Sequence, residues 1–350
     1  MAAKIRVTGQ IAKAAFVNDA RAGVIVYNTS TPRLAGHPMH TIAITVVPVF
    51  ALIALGYFAA RIRFFSTEAE TGLTRFVLYF AIPALLFRTM VAVDVANPPW
   101  RLWAAFFTAI VVIWVLAIWT SKRLASISAS GGSAAAITSS FGNLLMMGIP
   151  LSVSFLGPAA ALPAGLILSI HSPIQWTAAT LLAEMSGERS DASVSAILRD
   201  LVNDLIRNPI VVAIVLGSLW RLTGLGLAPV ADRTIALLGQ AGVPAALFAL
   251  GLSLAGFGFK GNVRGVTVIL TLKMIVMPLI AALLAVKVFQ LSPVDAGVVI
   301  IFAALPPGVN AYLFATRYDA AVAPVSGAIA LGTGLSLFTT SVVLWLIGPV

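Results

Sequence analysis

The chain contains no cysteine among its 350 residues. That excludes disulfides, thiolate catalysis and thiolate-bound metals together, while leaving the redox compartment open. Charge is also scarce, at 10% of residues, against about 25% in soluble globular domains. None of the Asp or Glu residues falls in the middle of an apolar run. A relay of membrane-buried carboxylates, a common device of proton-driven transport, therefore has no candidate. Sodium coupling would have to rest on backbone carbonyls and on Ser, Thr or Asn oxygens. No His-Glu-x-x-His pair, nucleotide loop or metal-ligand cluster occurs, so no metal and no cofactor is expected. What is abundant is apolar surface: 60% of residues are hydrophobic and the mean hydropathy is +1.02. The composition is that of an all-α integral membrane protein.

Apolar runs of roughly 20 residues suffice to cross a bilayer. Ten are predicted, near 40–60, 72–92, 102–121, 132–156, 159–182, 208–223, 234–255, 265–288, 294–315 and 322–348. The sixth is the shortest and the eighth is long enough to tilt. The net charge of +10 reads as a record of membrane orientation and not as a nucleic-acid surface. Arg61, Arg63, Arg75, Lys122, Arg123, Arg189, Arg199, Arg207, Lys260, Arg264 and Arg317 follow the odd-numbered spans. Only Arg101, Arg221, Arg233 and Lys287 lie at the other face. This places the odd loops in the cytoplasm of a bacterial inner membrane and both termini outside. Residues 1–38 carry Lys4, Arg6, Lys13, Arg21 and Arg33 with no signal-peptide apolar run. Two readings stand for them: a disordered basic tail, or a misassigned start with translation beginning at Met39.

The chain repeats itself. Pro48 and Gly56 recur as Pro209 and Gly217, 161 positions later, and Ile82-Pro83-Ala84-Leu85-Leu86-Phe87 recurs as Val243-Pro244-Ala245-Ala246-Leu247-Phe248 at the same offset. Five spans per half is an odd number, so the second half enters the bilayer inverted. The predicted organisation is a first five-helix repeat over 39–183, a polar cytoplasmic linker over 184–207, and a second five-helix repeat over 208–350.

In each half the fourth span is interrupted. The first carries Asn143, Gly148 and Pro150; the second carries Pro306, Pro307, Gly308 and Asn310. Proline removes a backbone donor and its ring strikes the carbonyl four residues back. Lipid cannot satisfy the groups so freed, and broken spans persist only where they line a cavity or pack on protein. Paired breaks in corresponding places are a pointer to a carrier's substrate site. Half-helix N-termini there carry partial positive charge and free N–H groups suited to a carboxylate. The alternative at each break is a kinked helix packed by its neighbours. Asn208 before Pro209 is either an N-cap or a substrate contact. Lys273, deep in the eighth span, either attracts an anion, counters a half-helix C-terminus, or snorkels to the cytoplasm. Arg88 is expected to snorkel outward towards Asp94, and Gln240, His171 and Gln175 to make interhelical hydrogen bonds.

Asn143-x4-Gly148-Ile149-Pro150, Arg207-Asn208-Pro209, Leu247-Phe248-Ala249-Leu250-Gly251 and Leu305-Pro306-Pro307-Gly308-Val309-Asn310 resemble signatures of the auxin efflux carrier family, whose bacterial members include malonate-type carriers. The resemblance covers about 39–350. It implies ten transmembrane helices as two inverted five-helix repeats, related in fold to bile-acid sodium symporters, with broken fourth and ninth helices crossing beside the substrate. In plant members the asparagine matching Asn143, and one in the motif matching Asn208-Pro209, hold the auxin carboxylate. Ile210 departs from that second motif, where the plant pattern has another Asn. The long plant cytoplasmic loop is absent.

The expected function is a secondary transporter of small organic acid anions, malonate-like or auxin-like carboxylates, by alternating access. The expected substrate contacts are Asn143, Gly148, Pro150, Asn208, Lys273, Pro307, Gly308 and Asn310. The partners are a small carboxylate and the lipid bilayer, with a homodimer as a possible assembly. Two alternatives stay open: a channel-like facilitator of anions and an intramembrane enzyme.

Overall fold

A helix satisfies its backbone within one segment, which is what hydrocarbon demands. The computed structural model describes residues 38–92, 99–123, 131–185, 194–256 and 263–348, and among these it is helical apart from turns and one isolated bridge. The helices are α1 Pro38–Arg61, α2 Thr67–Ala92, α3 Trp100–Arg123, α4 Gly132–Thr138, α5 Leu144–Leu156, α6 Ala161–Met185 and α7 Val194–Arg207. They continue as α8 Pro209–Leu222, α9 Pro229–Leu254, α10 Val263–Val288, α11 Pro293–Ala304, α12 Val309–Arg317 and α13 Val322–Ile347. The tail of residues 1–38 lies, but for Pro38, outside the described residues, and so does 186–193 of the linker.

Among the described residues six helices are long and apolar enough to cross a membrane: α2, α3, α6, α9, α10 and α13. The pair α7–α8, bent by 57°, passes the same test together. Length and composition thus show six or seven spans where ten were predicted. The difference has a physical cause. The fourth and ninth segments are each cut in two, and α8 is only 14 residues long. The remaining segment, α1, is long enough to cross, at 24 residues, but only its part Val46–Arg61 falls among the residues whose side chains are described.

Prolines shape the helices in two ways. Pro48, Pro173 and Pro244 sit inside regular α-helix. By contrast, the π-turns Val77–Ala81, Leu144–Gly148 and Leu272–Val276 each end two residues before a proline, namely Pro83, Pro150 and Pro278. The extra residue in a π-turn relieves the missing donor and the ring clash without ending the helix.

Pro150 is therefore not the break in the fourth segment, contrary to expectation. It lies in the first turn of Ile149–Leu156, continuous with the π-turn before it. The chain leaves helix earlier, over Ser139–Asn143, where no proline stands. The second break falls where expected: α11 ends at Ala304, Leu305 and Gly308 are extended, and α12 begins at Val309.

Packing is closest where glycine replaces a side chain. A Cβ on Gly56 of α1 would collide with the Phe248 carbonyl oxygen of α9, and one on Gly251 would collide with that of Ile53. A Cβ on Gly217 of α8 would stand 2.7 Å from the Phe87 carbonyl oxygen of α2. The pairs Gly56–Phe248 and Gly217–Phe87 are related by the 161-residue offset in both members. One buried apolar cluster includes Phe106, Met147, Ile149, Phe302 and Leu305, and a second includes Phe141 and Phe314.

Candidate functional site

The two interruptions meet. Gly142 and Pro307 form an antiparallel bridge; the Gly308 N–H donates to Phe141 O at 2.8 Å and the Asn143 N–H to Pro306 O at 3.2 Å. Each extended segment so supplies the partners that lipid would deny the other. The approach needs glycine, because a Cβ on Gly308 would stand 3.0 Å from the Gly142 carbonyl oxygen.

Both α5 and α12 begin at this crossing. The first N–H groups of any helix lack intrahelical partners. Asn143 caps α5, its side-chain oxygen accepting from Met146 N at 3.3 Å, while its amide nitrogen remains for a further acceptor. Asn310 lies in the first turn of α12 and is exposed. Asn208 caps α8, accepting from Ile210 N at 2.9 Å.

A cavity of about 830 Å³ gathers these three helix starts. Asn143, Leu144, Leu145 and Met146 line it from α5; Gly308, Val309 and Asn310 from α12; Asn208, Pro209 and Ile210 from α8. Phe141, Leu168, His171, Trp176 and Leu250 supply apolar and aromatic wall. Exposed Arg75 and Arg207, with half-buried Glu70, are its charged groups. A concave, largely apolar wall with a few convergent polar groups is the usual character of a small-molecule site.

Four of the predicted contacts thus share one cavity: Asn143, Asn208, Gly308 and Asn310. The other four do not line it. Gly148 and Pro150, within α5, are buried against protein, where a Cβ on Gly148 would meet Leu305 Cδ1 at 2.8 Å. Pro307 is spent on the bridge. Lys273 is 0% exposed and points away from the cavity, into the end of α11. Its Nζ donates to Ala303 O at 2.7 Å, with Phe302 O at 3.5 Å and Met277 Sδ at 3.4 Å. In a continuous helix those two carbonyls would accept from residues 306 and 307, which are both prolines. The ammonium serves the carbonyls that the prolines orphan, so of the three predicted roles for Lys273 the structure shows the second.

The first break is held by uncharged side chains, although Ser139 Oγ, buried within it, has no partner among the described residues. Ser140 Oγ accepts from Trp114 Nε1 at 2.7 Å and donates to Gln175 Oε1 at 2.6 Å. Gln175 Nε2 reaches His171 Nε2 at 2.6 Å. With the amide as donor there, the imidazole proton sits on Nδ1, which has no partner among the described residues. Gln175 thereby makes the expected interhelical bond, to Ser140, whereas His171 bonds within its own helix α6, to Gln175 four residues on. Arg88 is a correction: it pairs with Asp232 at the start of α9, at 2.7 and 3.1 Å, whereas Asp94 lies outside the described residues. Sequence reasoning missed Arg75, Glu70 and Trp176 as cavity residues. Arg207 was read as a loop charge and as part of the Arg207-Asn208-Pro209 signature, but not as a cavity residue.

Residues 41–344 match the family described as "Membrane transport protein". The chain belongs to that family, which includes the auxin efflux carriers. Among its relatives is a protein of Rhizobium meliloti (strain 1021) named "Putative malonate transporter", 26% identical over 306 residues, covering 86% of this chain and 94% of the relative. "Auxin efflux carrier component 8" of Arabidopsis thaliana is 25% identical over 360 residues, covering 86% and 95%. "Uncharacterized transporter YfdV" of Escherichia coli (strain K12) is 26% identical over 314 residues, covering 86% and 95%. The family and these relatives are transporters, and the chain is a multi-pass membrane protein.

Proposed function

We propose that the protein is a secondary carrier of small organic acid anions, malonate-like or auxin-like carboxylates, bound in the cavity at the crossing and moved by alternating access. The observation that carries this reading is the convergence of three helix N-termini and the amides of Asn143, Asn208 and Asn310 on one cavity. Helix starts favour anions through their dipoles and free N–H groups. Asn143 and Asn310 donate to the carboxylate from opposite sides of the crossing, and the first-turn N–H groups of Val309 and Asn310 in α12 complete the cradle. Lys273 adds positive potential from behind the wall. The relatives named for malonate and for auxin both point to carboxylates.

The inverted-repeat architecture belongs to the same proposal. One repeat is α1, α2, α3, the broken pair α4–α5, and α6; the other is α8, α9, α10, the broken pair α11–α12, and α13. That makes ten spans, with α7 in the cytoplasmic linker. The matched approaches of Gly56 to Phe248 and Gly217 to Phe87 support it, since a pseudo-two-fold axis would generate each from the other. The cavity mouth carries Arg75 and Arg207, charges assigned above to the cytoplasmic face, so this conformation is open inward. Alternation is elevator-like or rocking, with both termini outside a bacterial inner membrane.

Counterflow of labelled malonate into proteoliposomes loaded with unlabelled carboxylates tests the reading. The expected result is saturable uptake accelerated by internal substrate and lost in Asn143→Ala, with the variant still folded. Uptake without saturation or counterflow would make the protein a channel, and unchanged transport in Asn143→Ala would remove the site.

A further inference from the structure

The linker helix α7, Val194–Arg207, has no task in the carrier cycle, yet its apolar side chains fall into two sets. At helical spacing Ile197, Leu201 and Leu205 share one side, where Ile197 is buried and the other two are half-buried, and the helix touches α6 and α8. The adjoining stripe, Leu198, Val202 and Ile206, is 50%, 52% and 67% exposed. An apolar helix stripe left over after packing on its own protein marks an interaction surface. We infer that this stripe dips into the inner leaflet, so that α7 is an in-plane helix seated on an anionic phospholipid surface. The inference rests on the cytoplasmic placement of the linker proposed above.

Spanning does not explain the stripe. At 14 residues the helix is about 21 Å long, against about 30 Å of hydrocarbon, and Arg199, Asp200 and Asn203 stand mid-length. It is bent by 57° from α8, which suits a chain turning from the bilayer surface into its interior. Lipid is at hand directly afterwards: α8 exposes Val212, Val215, Leu216 and Leu219, the face a span offers to acyl chains. Charge selects the kind of lipid. By helical register Arg199 borders the stripe, whereas Asp200 and Asp204 fall on the opposite side. Arg199 is exposed, placed to lay its stem on apolar surface with its guanidinium at the depth of phosphates. The cytoplasmic leaflet is the one that carries negative surface potential. A second copy of the chain suits the stripe less well, since three side chains fall far short of the about 800 Å² per partner of a stable interface. The seat matters because Arg207 ends α7 and lines the cavity, and Asn208 follows as the cap of α8. The leaflet thereby holds one side of the mouth.

The absence of native cysteine gives clean single labelling sites. Full-length protein carrying Val202→Cys or Asn203→Cys is spin-labelled and reconstituted in vesicles of phosphatidylglycerol or phosphatidylcholine. Collision with oxygen, which partitions into lipid, and with a water-soluble nickel chelate then reports depth. In phosphatidylglycerol the label at 202 should lie about 5–10 Å into the headgroup and acyl boundary, and the label at 203 in water. In phosphatidylcholine the docked fraction at 202 should fall, by up to about fivefold for the one Arg beside the stripe, and Arg199→Gln should abolish the difference between the two lipids. Leu198→Cys replaces Val202→Cys should the latter fail to fold. Equally aqueous labels at 202 and 203 would overturn the inference. So would equally immersed ones, which make α7 and α8 a single bent span, and a label at 202 shielded from both reagents, which means protein covers the stripe. A depth at 202 indifferent to lipid charge and to Arg199→Gln would dismiss the anionic surface as partner. No transport is measured, so these outcomes stand apart from the counterflow result that tests the carrier itself.

Discussion

The two breaks stand in corresponding places and touch each other, yet they are made by different chemistry. At the second, consecutive prolines forbid helix locally, and the price is two carbonyls that only a buried ammonium reaches. At the first, Ser139–Asn143 contains no proline. It unwinds because its backbone is paired with the other break, at Gly142–Pro307 and Asn143–Pro306, and the side chains around it are uncharged: the Ser140 hydroxyl accepts from Trp114 and donates to Gln175. One break is dictated by local sequence and the other by its neighbour. It follows that the first should be the more sensitive to anything that disturbs the contact between them.

Gly308→Val would disturb that contact most. A branched Cβ would press on the Gly142 carbonyl at 3.0 Å, and overpacking of this kind costs about 1–3 kcal/mol or more. Uptake should fall to background, with cross-linking between introduced cysteines on α4 and α12 lost as well. Asn143→Ala comes next. Removing a donor to a charged group costs about 1.5–3 kcal/mol, so transport should fall by roughly tenfold to a hundredfold. Lost capping of α5 would add about 1 kcal/mol of destabilisation. Asn310→Ala should lower transport similarly but leave the unfolding midpoint in place, because Asn310 caps nothing; equal destabilisation in both variants would erase the distinction. Ser140→Ala should reverse the pattern. It strands the donor of Trp114 and the acceptor of Gln175, a loss of about 1–3 kcal/mol for each buried group, seen as a lower midpoint with substrate affinity retained. The smallest effect is expected for Pro150→Ala, since the π-turn before it already accommodates the ring; transport should change by less than about twofold, within about 0.5 kcal/mol. A large loss there would restore Pro150 to the break.

These contrasts also explain what could be read from residues alone. Helix positions were legible because apolar length decides them: 322–348 was predicted and Val322–Ile347 is found. Leu305–Gly308 was legible because missing donors are written in the sequence. The start of the first break was not, because its cause lies about 160 residues away in the bridge to Pro307. Pro150 misled, because a single proline after a flexible stretch can be absorbed by a π-turn, and nothing in residue type separates the two outcomes. The asparagines were found by their place before helix starts; Arg75 and Trp176 reach the cavity only through tertiary packing. Lys273 was visible as an anomaly, but its acceptors are 29 and 30 residues distant.

The facing glycines of α1 and α9 carry a further consequence. With Gly56 seated on the Phe248 backbone and Gly251 on that of Ile53, these two helices interlock like meshed teeth, leaving no clearance for sliding along one another. Whatever part of the molecule travels during a transport cycle, these two helices stay together.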